Sequence, residues 1–388
     1  MRVAIITESF SPDVNGVANS VARVAEHLLA RGHQPMVIAP KPSPRARRAV
    51  TGKPYPVVRL GSLPLPGYGN VRLAWPTRRL REALAGHRPD VVHLASPFVL
   101  GVWGAKAAAD LGVPVVAIYQ TDVPGYARAY GVATGEALAW RWIRHVHGRA
   151  ALTLAPSSAT AAELVAHGVP DVGRWGRGVD TALFHPSRRD EALRTELAPG
   201  GELIVGYVGR LAREKRVDLL ARTAALPGVR VVVVGDGPTR DAVRRAVPQA
   251  AFLGTRRGTD LARLYASLDI FVHTGPHETF CQTVQEAQAS GVPVVAPAIG
   301  GPLDLVRHGV DGLLVTPDDP AAFASAVGTL TDPAARRAYG QAGRAAVGTR
   351  TWSALGDELI GHYAAAADAV RAPGRLAAAP VAVPVPAP

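Results

Sequence analysis

The strongest constraint on the fold is an alternation between short apolar runs rich in β-branched residues and longer helical segments rich in alanine. This pattern predicts an α/β fold with parallel sheets, because each helix covers an apolar face of the strands that it joins. The alternation occurs as two series. The predicted strands are 3–6, 35–39, 57–60, 90–94, 113–119 and 151–155 in the first, then 203–208, 229–234, 250–253, 268–272, 292–296 and 312–315 in the second.

Two such series in 388 residues predict two Rossmann-like domains that face each other across a cleft. We expect an N-terminal domain over residues 1–170 and a C-terminal domain over residues 171–350. A helix over residues 351–372 follows the last strand, and we expect it to cross back onto the first domain. Residues 373–388 are nearly all Ala, Pro and Val, so we expect them to be disordered.

The positive charge of the chain is concentrated in one segment. The formal net charge is +12, and residues 41–88 hold eleven Lys or Arg against Glu82 alone. Apolar and aromatic residues such as Trp75 lie among them, a mixture that suits an anionic membrane surface. A broad preference for Arg is the alternative, since only four of the 43 basic residues are Lys. Nucleic acid is a weaker candidate partner because no known nucleic-acid-binding signature accompanies the charge.

The remaining composition predicts a cytoplasmic protein that is peripheral at the inner face of the membrane. Cys281 is the single cysteine, which excludes an intrachain disulfide and fits a reducing compartment. The N-terminus enters a strand at once, and no apolar run reaches the roughly 18 residues of a membrane span. No cluster of Cys and His has the spacing of metal ligands, so we expect no metal and no other cofactor.

The stretch 277–286 carries two carboxylates, Glu278 and Glu286, just after a predicted strand. Thr279 and Gln282 fit a capping box, which predicts a helix with Thr279 as its N-cap. Glu278 would then lie in the loop ahead of the helix, and Glu286 about two turns inside it. From the spacing alone, an amphipathic surface helix remains the alternative.

The predicted start of this helix is a candidate anion site. The amides of Phe280 and Cys281 would face outward at the positive end of the helix dipole. Glu286 would lie roughly 10 Å along the helix from the cap, with its side chain tilted back toward the N-terminus. Its carboxylate would then lie behind a phosphate bound to the amides, about where the ribose of a nucleotide would be.

Loops at the carboxyl ends of other strands are also expected ligand sites. Gly209, Arg210 and Lys215 follow the first strand of the second series, and a guanidinium fork with an ammonium suits a diphosphate. Gly16, after the first strand of the chain, would let a phosphate or sugar approach the backbone closely. No nucleophile–base pair emerges, so catalysis here would be electrostatic and positional.

Arg210 and Lys215, the pair Glu278 and Glu286, and Gly16 together resemble the family-4 retaining glycosyltransferases of GT-B fold, over residues 1 to about 370. The chain is most similar to the actinobacterial GDP-mannose-dependent α-mannosyltransferases that act on glycolipids. The segments that carry this similarity are 4–10, 91–97, 119–126, 175–180 and 277–286. The resemblance implies that the N-terminal domain binds the acceptor and the C-terminal domain binds the nucleotide sugar.

The resemblance also implies a role for each matching residue on the donor side. Glu278 would accept hydrogen bonds from hydroxyls of the transferred sugar, and Glu286 would bind the ribose. Arg210 and Lys215 would neutralise the departing diphosphate. The other implied donor contacts are Gly16, Gly209, Phe280, Cys281 and Gln282, with Arg256 in a loop near the base.

The chain departs from the family pattern on the acceptor side. Gln120 stands where many relatives have His, and because an amide cannot carry a proton, Asp122 becomes the nearest titratable substitute. Asn15 precedes Gly16 where a double glycine is usual.

The resemblance implies a retaining transferase that moves mannose from GDP-mannose to a lipid-linked acceptor of the glycosyl-diacylglycerol or phosphatidylinositol mannoside type. A UDP-sugar donor with a diacylglycerol-type lipid is the alternative within enzymes. A two-lobed protein that binds a small ligand is the non-enzyme alternative, which the charged set disfavours. A dinucleotide oxidoreductase is weaker, because no G-x-G-x-x-G follows a strand with an acidic residue about 20 positions on.

Overall fold

Two parallel sheets form the framework of the protein in a computed structural model, which describes residues 1–13, 15–44, 46, 52–65, 68–75, 78–96, 98–125 and 133–371. The predicted tail 373–388 and the basic residues Arg45, Arg47 and Arg48 lie outside the described residues. The first sheet has seven strands in the order β3 (Val57–Leu60), β2 (Gln34–Pro40), β1 (Arg2–Ile6), β6 (Val91–Leu94), β7 (Val115–Ile118), β8 (Leu152–Ala155) and β9 (Val172–Arg174).

The second sheet has six strands, all parallel to their neighbours. Their order is β12 (Ala251–Gly254), β11 (Val229–Val234), β10 (Leu203–Val208), β13 (Ile270–Val272), β14 (Val294–Pro297) and β15 (Gly312–Val315). In both sheets the chain winds outward from a central strand in two directions. The crevice where the direction reverses, at the carboxyl ends of the strands, is where such sheets bind ligands.

Helices alternate with the strands. The helices in the first part of the chain are α1 (Gly16–Ala30), α2 (Arg78–His87), α3 (Val99–Asp110), α4 (Ala133–His147) and α5 (Ser158–Ala166). Those that follow are α6 (Glu191–Leu197), α7 (Ala221–Ala224), α8 (Arg240–Ala246), α9 (Gly258–Ser267), α10 (Gln282–Ala289), α11 (Pro302–Leu305), α12 (Pro320–Thr329), α13 (Pro333–Val347) and α14 (Trp352–Arg371). Residues 175–202 join the two sheets, and we call them the connector.

The strand β1 illustrates why the predicted apolar runs become buried parallel strands. Val3 and Ile5 pack into the core on one face of the first sheet, and Ala4 and Ile6 pack into the core on the other. All four side chains are fully buried. Continuous rather than alternating apolar sequence is therefore required, because helices cover both faces of the sheet.

The helix α14 packs on the first domain, as the sequence predicts, and contacts α1, β6 and β7. The Tyr363 hydroxyl lies 2.5 Å from Nδ1 of His93 on β6, and both side chains are buried. At the other end of the contact, Asp357 pairs with His27 and Arg31 of α1. The helix α14 therefore attaches the chain that leaves the second domain to the first domain.

Three of the described strands were not predicted from the sequence. An antiparallel hairpin, β4 (Ser62–Leu65) and β5 (Tyr68–Ala74), follows β3, and its proline and glycine content hides it from a search for apolar runs. The short strand β9 adds to the edge of the first sheet, so this sheet extends a few residues past the expected boundary at 170. Among the described residues, no helix combines the length and apolarity that crossing a membrane requires.

Candidate active site between the two sheets

A cleft of about 740 Å³ opens between the carboxyl ends of the two sheets. One wall comes from the loops after β1, β6 and β7, and the other from the loops after β10 and β13. Among the predicted site residues, those that line it are Gly16, Gln120, Asp122, Gly209, Arg210, Lys215, Glu278, Phe280, Cys281 and Gln282. Residues far apart in the sequence thus meet at one place.

The helix α10 begins later than the sequence predicts. Its first residue is Gln282, and its N-cap is Cys281, whose φ of 76° and ψ of 66° lie in the left-handed region. The predicted capping box is therefore wrong. Gln282 Nε2 instead donates to the Gly178 carbonyl oxygen at 3.1 Å, and Thr279 Oγ1 donates to that of Gln120 at 3.4 Å. Partners in the connector and the first domain replace the local cap.

The orphan amides move with the helix boundary. In the first turn of α10 they belong to Cys281, Gln282 and Thr283, rather than to Phe280 and Cys281. All four residues line the cleft, so the positive end of the helix still points into it. Holding a non-glycine residue such as Cys281 at positive φ costs about 1–3 kcal/mol, a strain that is typical of functional sites.

Lys215 and Glu278 form an ion pair within the cleft. The Lys215 Nζ and Glu278 Oε1 atoms are 2.6 Å apart, and both side chains are largely buried. His273 Nε2 lies 3.5 Å from the same oxygen. Burial raises the pKa of Glu278, but the attraction of Lys215, assisted by His273 and Arg177, outweighs burial and holds this pKa below its usual range. Glu278 is therefore ionised at neutral pH.

Three potential metal ligands also meet here, since donor atoms of His273, Glu278 and Cys281 lie within 4.8 Å of one another. The Lys215 ammonium already contacts Glu278. Burial raises the pKa of the Cys281 thiol well above its usual range, so sulfur keeps its proton. A cation would have to displace both the ammonium and the thiol proton, and this cluster does not fit a metal site.

Gly209 and Arg210 follow β10 directly. A Cβ atom on Gly209 would lie 2.7 Å from the Tyr207 hydroxyl oxygen, so a larger residue would collide with that side chain. Arg210 is exposed, and it forms no ion pair with any residue in the described part of the chain. Its guanidinium is therefore available to an anionic ligand.

Two predicted donor residues lie outside the lining of the cleft. Glu286 is partly buried within α10, and burial raises its pKa to about 7. Arg256 is exposed in the loop after β12, where it donates to the Thr255 carbonyl oxygen at 3.4 Å.

The acceptor-side residues are held by local hydrogen bonds. Gln120 Nε2 donates to the Ala95 carbonyl oxygen at 3.3 Å. Asp122 is buried, and its Oδ1 accepts a hydrogen bond from the Gly125 amide at 2.8 Å, which closes a turn. One oxygen of Asp122 therefore has a structural task already.

The residues of the cleft that were not assigned from the sequence include Glu8 and Arg177. The Leu100 amide donates to Glu8 Oε1 at 2.5 Å, so this buried carboxyl caps α3 from the end of β1, and burial raises its pKa to about 7. Arg177 reaches the cleft from the connector and donates to Gln120 Oε1 at 3.0 Å. The position of Glu8 at a strand end was a usable signal, whereas no local pattern points to Arg177.

The chain is similar to known proteins in sequence and in fold. Residues 14–183 match the model of Glycosyltransferase Family 4, and residues 202–332 match that of Glycosyl transferases group 1. The chain is 51% identical to a GDP-mannose-dependent alpha-mannosyltransferase of Mycobacterium tuberculosis, over 94% of this chain and 97% of the relative. It is 32% identical to the sulfoquinovosyl transferase SQD2 of Arabidopsis thaliana, over 94% and 74%. The structure of Anabaena HepE with UDP and glucose matches at a TM-score of 0.74 and 22% identity, over 94% and 99%.

Two facing Rossmann-like sheets with a charged cleft between them have the GT-B fold. The chain belongs to glycosyltransferase family 4. The predicted fold and the family resemblance are thereby confirmed. The chain is an enzyme, and the alternative of a two-lobed binding protein is wrong. The roles of individual residues remain predictions.

Proposed function

We propose that this enzyme transfers mannose from GDP-mannose to a lipid-linked acceptor, with retention of anomeric configuration, at the cytoplasmic face of the membrane. The observation that carries the proposal is the contact between Lys215 and Glu278 beside the start of α10. A sugar whose hydroxyls bind Glu278 would have its phosphate next to the Lys215 ammonium. The 51% identical mannosyltransferase from Mycobacterium tuberculosis supports mannose and GDP as the donor parts.

On the donor side, the cations and the helix start would share the diphosphate. Lys215, the exposed Arg210 and the orphan amides of α10 supply the charge, and the backbone at Gly209 and Gly16 lets the phosphates approach. Glu286 would receive the ribose hydroxyls behind them. Arg256 would lie near the base. Phe280, Cys281 and Gln282 would shape the floor of this half of the cleft.

The chemical step needs no protein nucleophile. The bond between the anomeric carbon and the diphosphate oxygen breaks as the acceptor oxygen bonds to the same face of that carbon. The leaving phosphate takes the proton of the acceptor hydroxyl. The protein would contribute by stabilising the charge that develops on the diphosphate, and removing one such contact typically costs about 3 kcal/mol of transition-state stabilisation.

The hairpin β4–β5 supports a lipid-linked acceptor. Leu73 on β5 lines the cleft, whereas Leu63 on β4 and Trp75, directly after β5, are each 70% exposed. The hairpin thus links an apolar outer surface to the acceptor half of the cleft. Arg78 and Arg79, exposed at the start of α2, supply cations beside it. Together these residues suit a surface of anionic lipid.

A UDP-sugar is the second candidate donor, because the chain is also similar to a sulfoquinovosyl transferase along most of its length. A thermal-shift panel of GDP, GDP-mannose, UDP, UDP-glucose and UDP-sulfoquinovose separates the two. We expect the guanine compounds to raise Tm most, because a ligand stabilises the folded state in proportion to the logarithm of its concentration over Kd. A larger shift with a UDP-sugar would transfer the proposal to that donor, and no shift with any nucleotide would reject it.

A further inference from the structure

Arg177 connects the helix α10 to two loops of the first domain, the loop after β7 and the loop after β1. Its backbone carbonyl oxygen accepts a hydrogen bond from Gln285 Nε2 of α10 at 3.0 Å. Its side chain crosses to the first domain, where Nη2 donates to Gln120 Oε1 at 3.0 Å. Since Gln120 also donates to the Ala95 carbonyl oxygen, its amide is held with the oxygen toward Arg177.

The guanidinium lies directly against Gly16. A Cβ atom built on Gly16 would be 2.7 Å from Arg177 Nη1, so any larger residue would push the guanidinium away. Gly16 is also where the first domain is expected to approach the diphosphate. A side chain at position 16 would therefore compete with Arg177 for this space.

The charge of Arg177 influences Glu278, the proposed sugar ligand, and not Glu286. Arg177 lines the same cleft as Arg210 and Lys215, and its charge is among the influences that lower the pKa of Glu278. The pKa of Glu286, the proposed ribose ligand, is set by burial and by Tyr265. Because Arg177 influences Glu278 but not Glu286, we expect its guanidinium to reach the phosphate nearest the sugar.

Building on the proposed function, we propose that Arg177 is a third cation for the donor and binds its β-phosphate from the first-domain side, with Gln120 as the residue that positions it. A guanidinium presents two parallel N–H donors to a phosphate, which an ammonium cannot do. Gln120 would then serve the donor rather than the acceptor. The competing account is that Arg177 only braces the connector against the first domain.

Calorimetric titration with GDP and GMP distinguishes these accounts, because only GDP carries a β-phosphate. A hydrogen bond to a charged group contributes about 1.5–3 kcal/mol, so we expect R177A to weaken GDP binding by roughly tenfold to a hundredfold. GMP binding should change less than about threefold. R177M, which keeps the apolar stem of the side chain, is measured alongside in case R177A does not fold, and it should show the same selective loss.

Arg174 offers a matched control within the same part of the chain. It pairs with Asp304 across the two domains at 2.9 Å but does not line the cleft, so R174A should leave the GDP-to-GMP affinity ratio unchanged. Q120A should weaken GDP partly, and the double variant R177A/Q120A should match R177A, because Gln120 acts through Arg177.

Equal weakening of GDP and GMP in R177A, or an unchanged affinity for GDP, would overturn the proposal. The same selective loss in R174A would also overturn it, since bracing would then explain both variants. If the wild-type protein binds no guanine nucleotide, the proposed donor fails first, and the comparison is repeated with UDP and UMP. Arg177 must then discriminate between that pair, or the inference is wrong.

Discussion

The Lys215 ammonium and burial together set the protonation states of Glu278 and Cys281 in the cleft. The ammonium keeps the Glu278 carboxylate ionised despite burial, and burial keeps the Cys281 thiol protonated. An ionised carboxylate accepts hydrogen bonds from sugar hydroxyls, and a neutral thiol adds no repulsion toward a diphosphate. The sequence placed Glu278 and Cys281 together at the predicted helix start, and Lys215 in another loop at the carboxyl end of a strand. It could not predict their protonation states, which depend on burial among residues distant in the chain.

If Glu286 binds the ribose, its raised pKa should make donor binding depend on pH. Hydroxyl donors bind the ionised carboxylate best, so ribose binding would lower the pKa of Glu286 from about 7 and release a proton. The affinity for GDP-mannose should therefore rise about tenfold between pH 6 and pH 8. The KM for GDP-mannose, measured across this range, checks it. E286Q should bind more weakly and show a flat profile, and parallel profiles in the two proteins would rule out this role.

At the scale of elements, the strands were predictable and the start of α10 was not. Apolar runs buried on both faces leave a signal in the sequence itself. The capping box failed because Gln282 finds a carbonyl acceptor at Gly178, 104 positions earlier in the chain, which local spacing cannot reveal. The hairpin β4–β5 was missed because its proline and glycine residues interrupt the apolar runs.

The hairpin should control membrane binding. Burying the exposed side chain of Leu63 or Trp75 in a lipid surface would stabilise the bound state by about 1.5–3 kcal/mol. L63D and W75D should therefore each weaken membrane binding about tenfold or more. R78E/R79E should weaken binding only when the vesicles contain anionic lipid. Flotation with phosphatidylglycerol-containing vesicles and with pure phosphatidylcholine vesicles measures both effects.

Val165, on α5, is the matched control for the hairpin because it is 61% exposed but lies on a different element. V165D should float like the wild-type protein. If W75D and V165D behave alike, the hairpin is not the membrane contact, and general surface polarity explains any loss.

At the scale of the whole molecule, the cleft exists because two sheets place their carboxyl ends opposite each other. The sequence predicts this arrangement, because two series of α/β units leave few other solutions. Contacts between the domains are a different matter. Arg177 and Gln120 meet over 57 positions of sequence, and Thr160 donates to the Thr279 carbonyl oxygen over 119. Only the folded chain shows which side chains complete the site.

The most direct test of the central claim is transfer of labelled mannose from GDP-mannose to glycosyl-diacylglycerol or phosphatidylinositol mannoside acceptors. We expect the wild-type protein to label a lipid product. E278Q keeps the shape of the side chain but removes its charge, so it should fold normally and lose roughly a hundredfold in kcat. K106A removes an exposed lysine on α3, outside the cleft, and should match the wild type. Undiminished transfer activity in E278Q, or no transfer of mannose from GDP-mannose by the wild-type protein, would contradict the account.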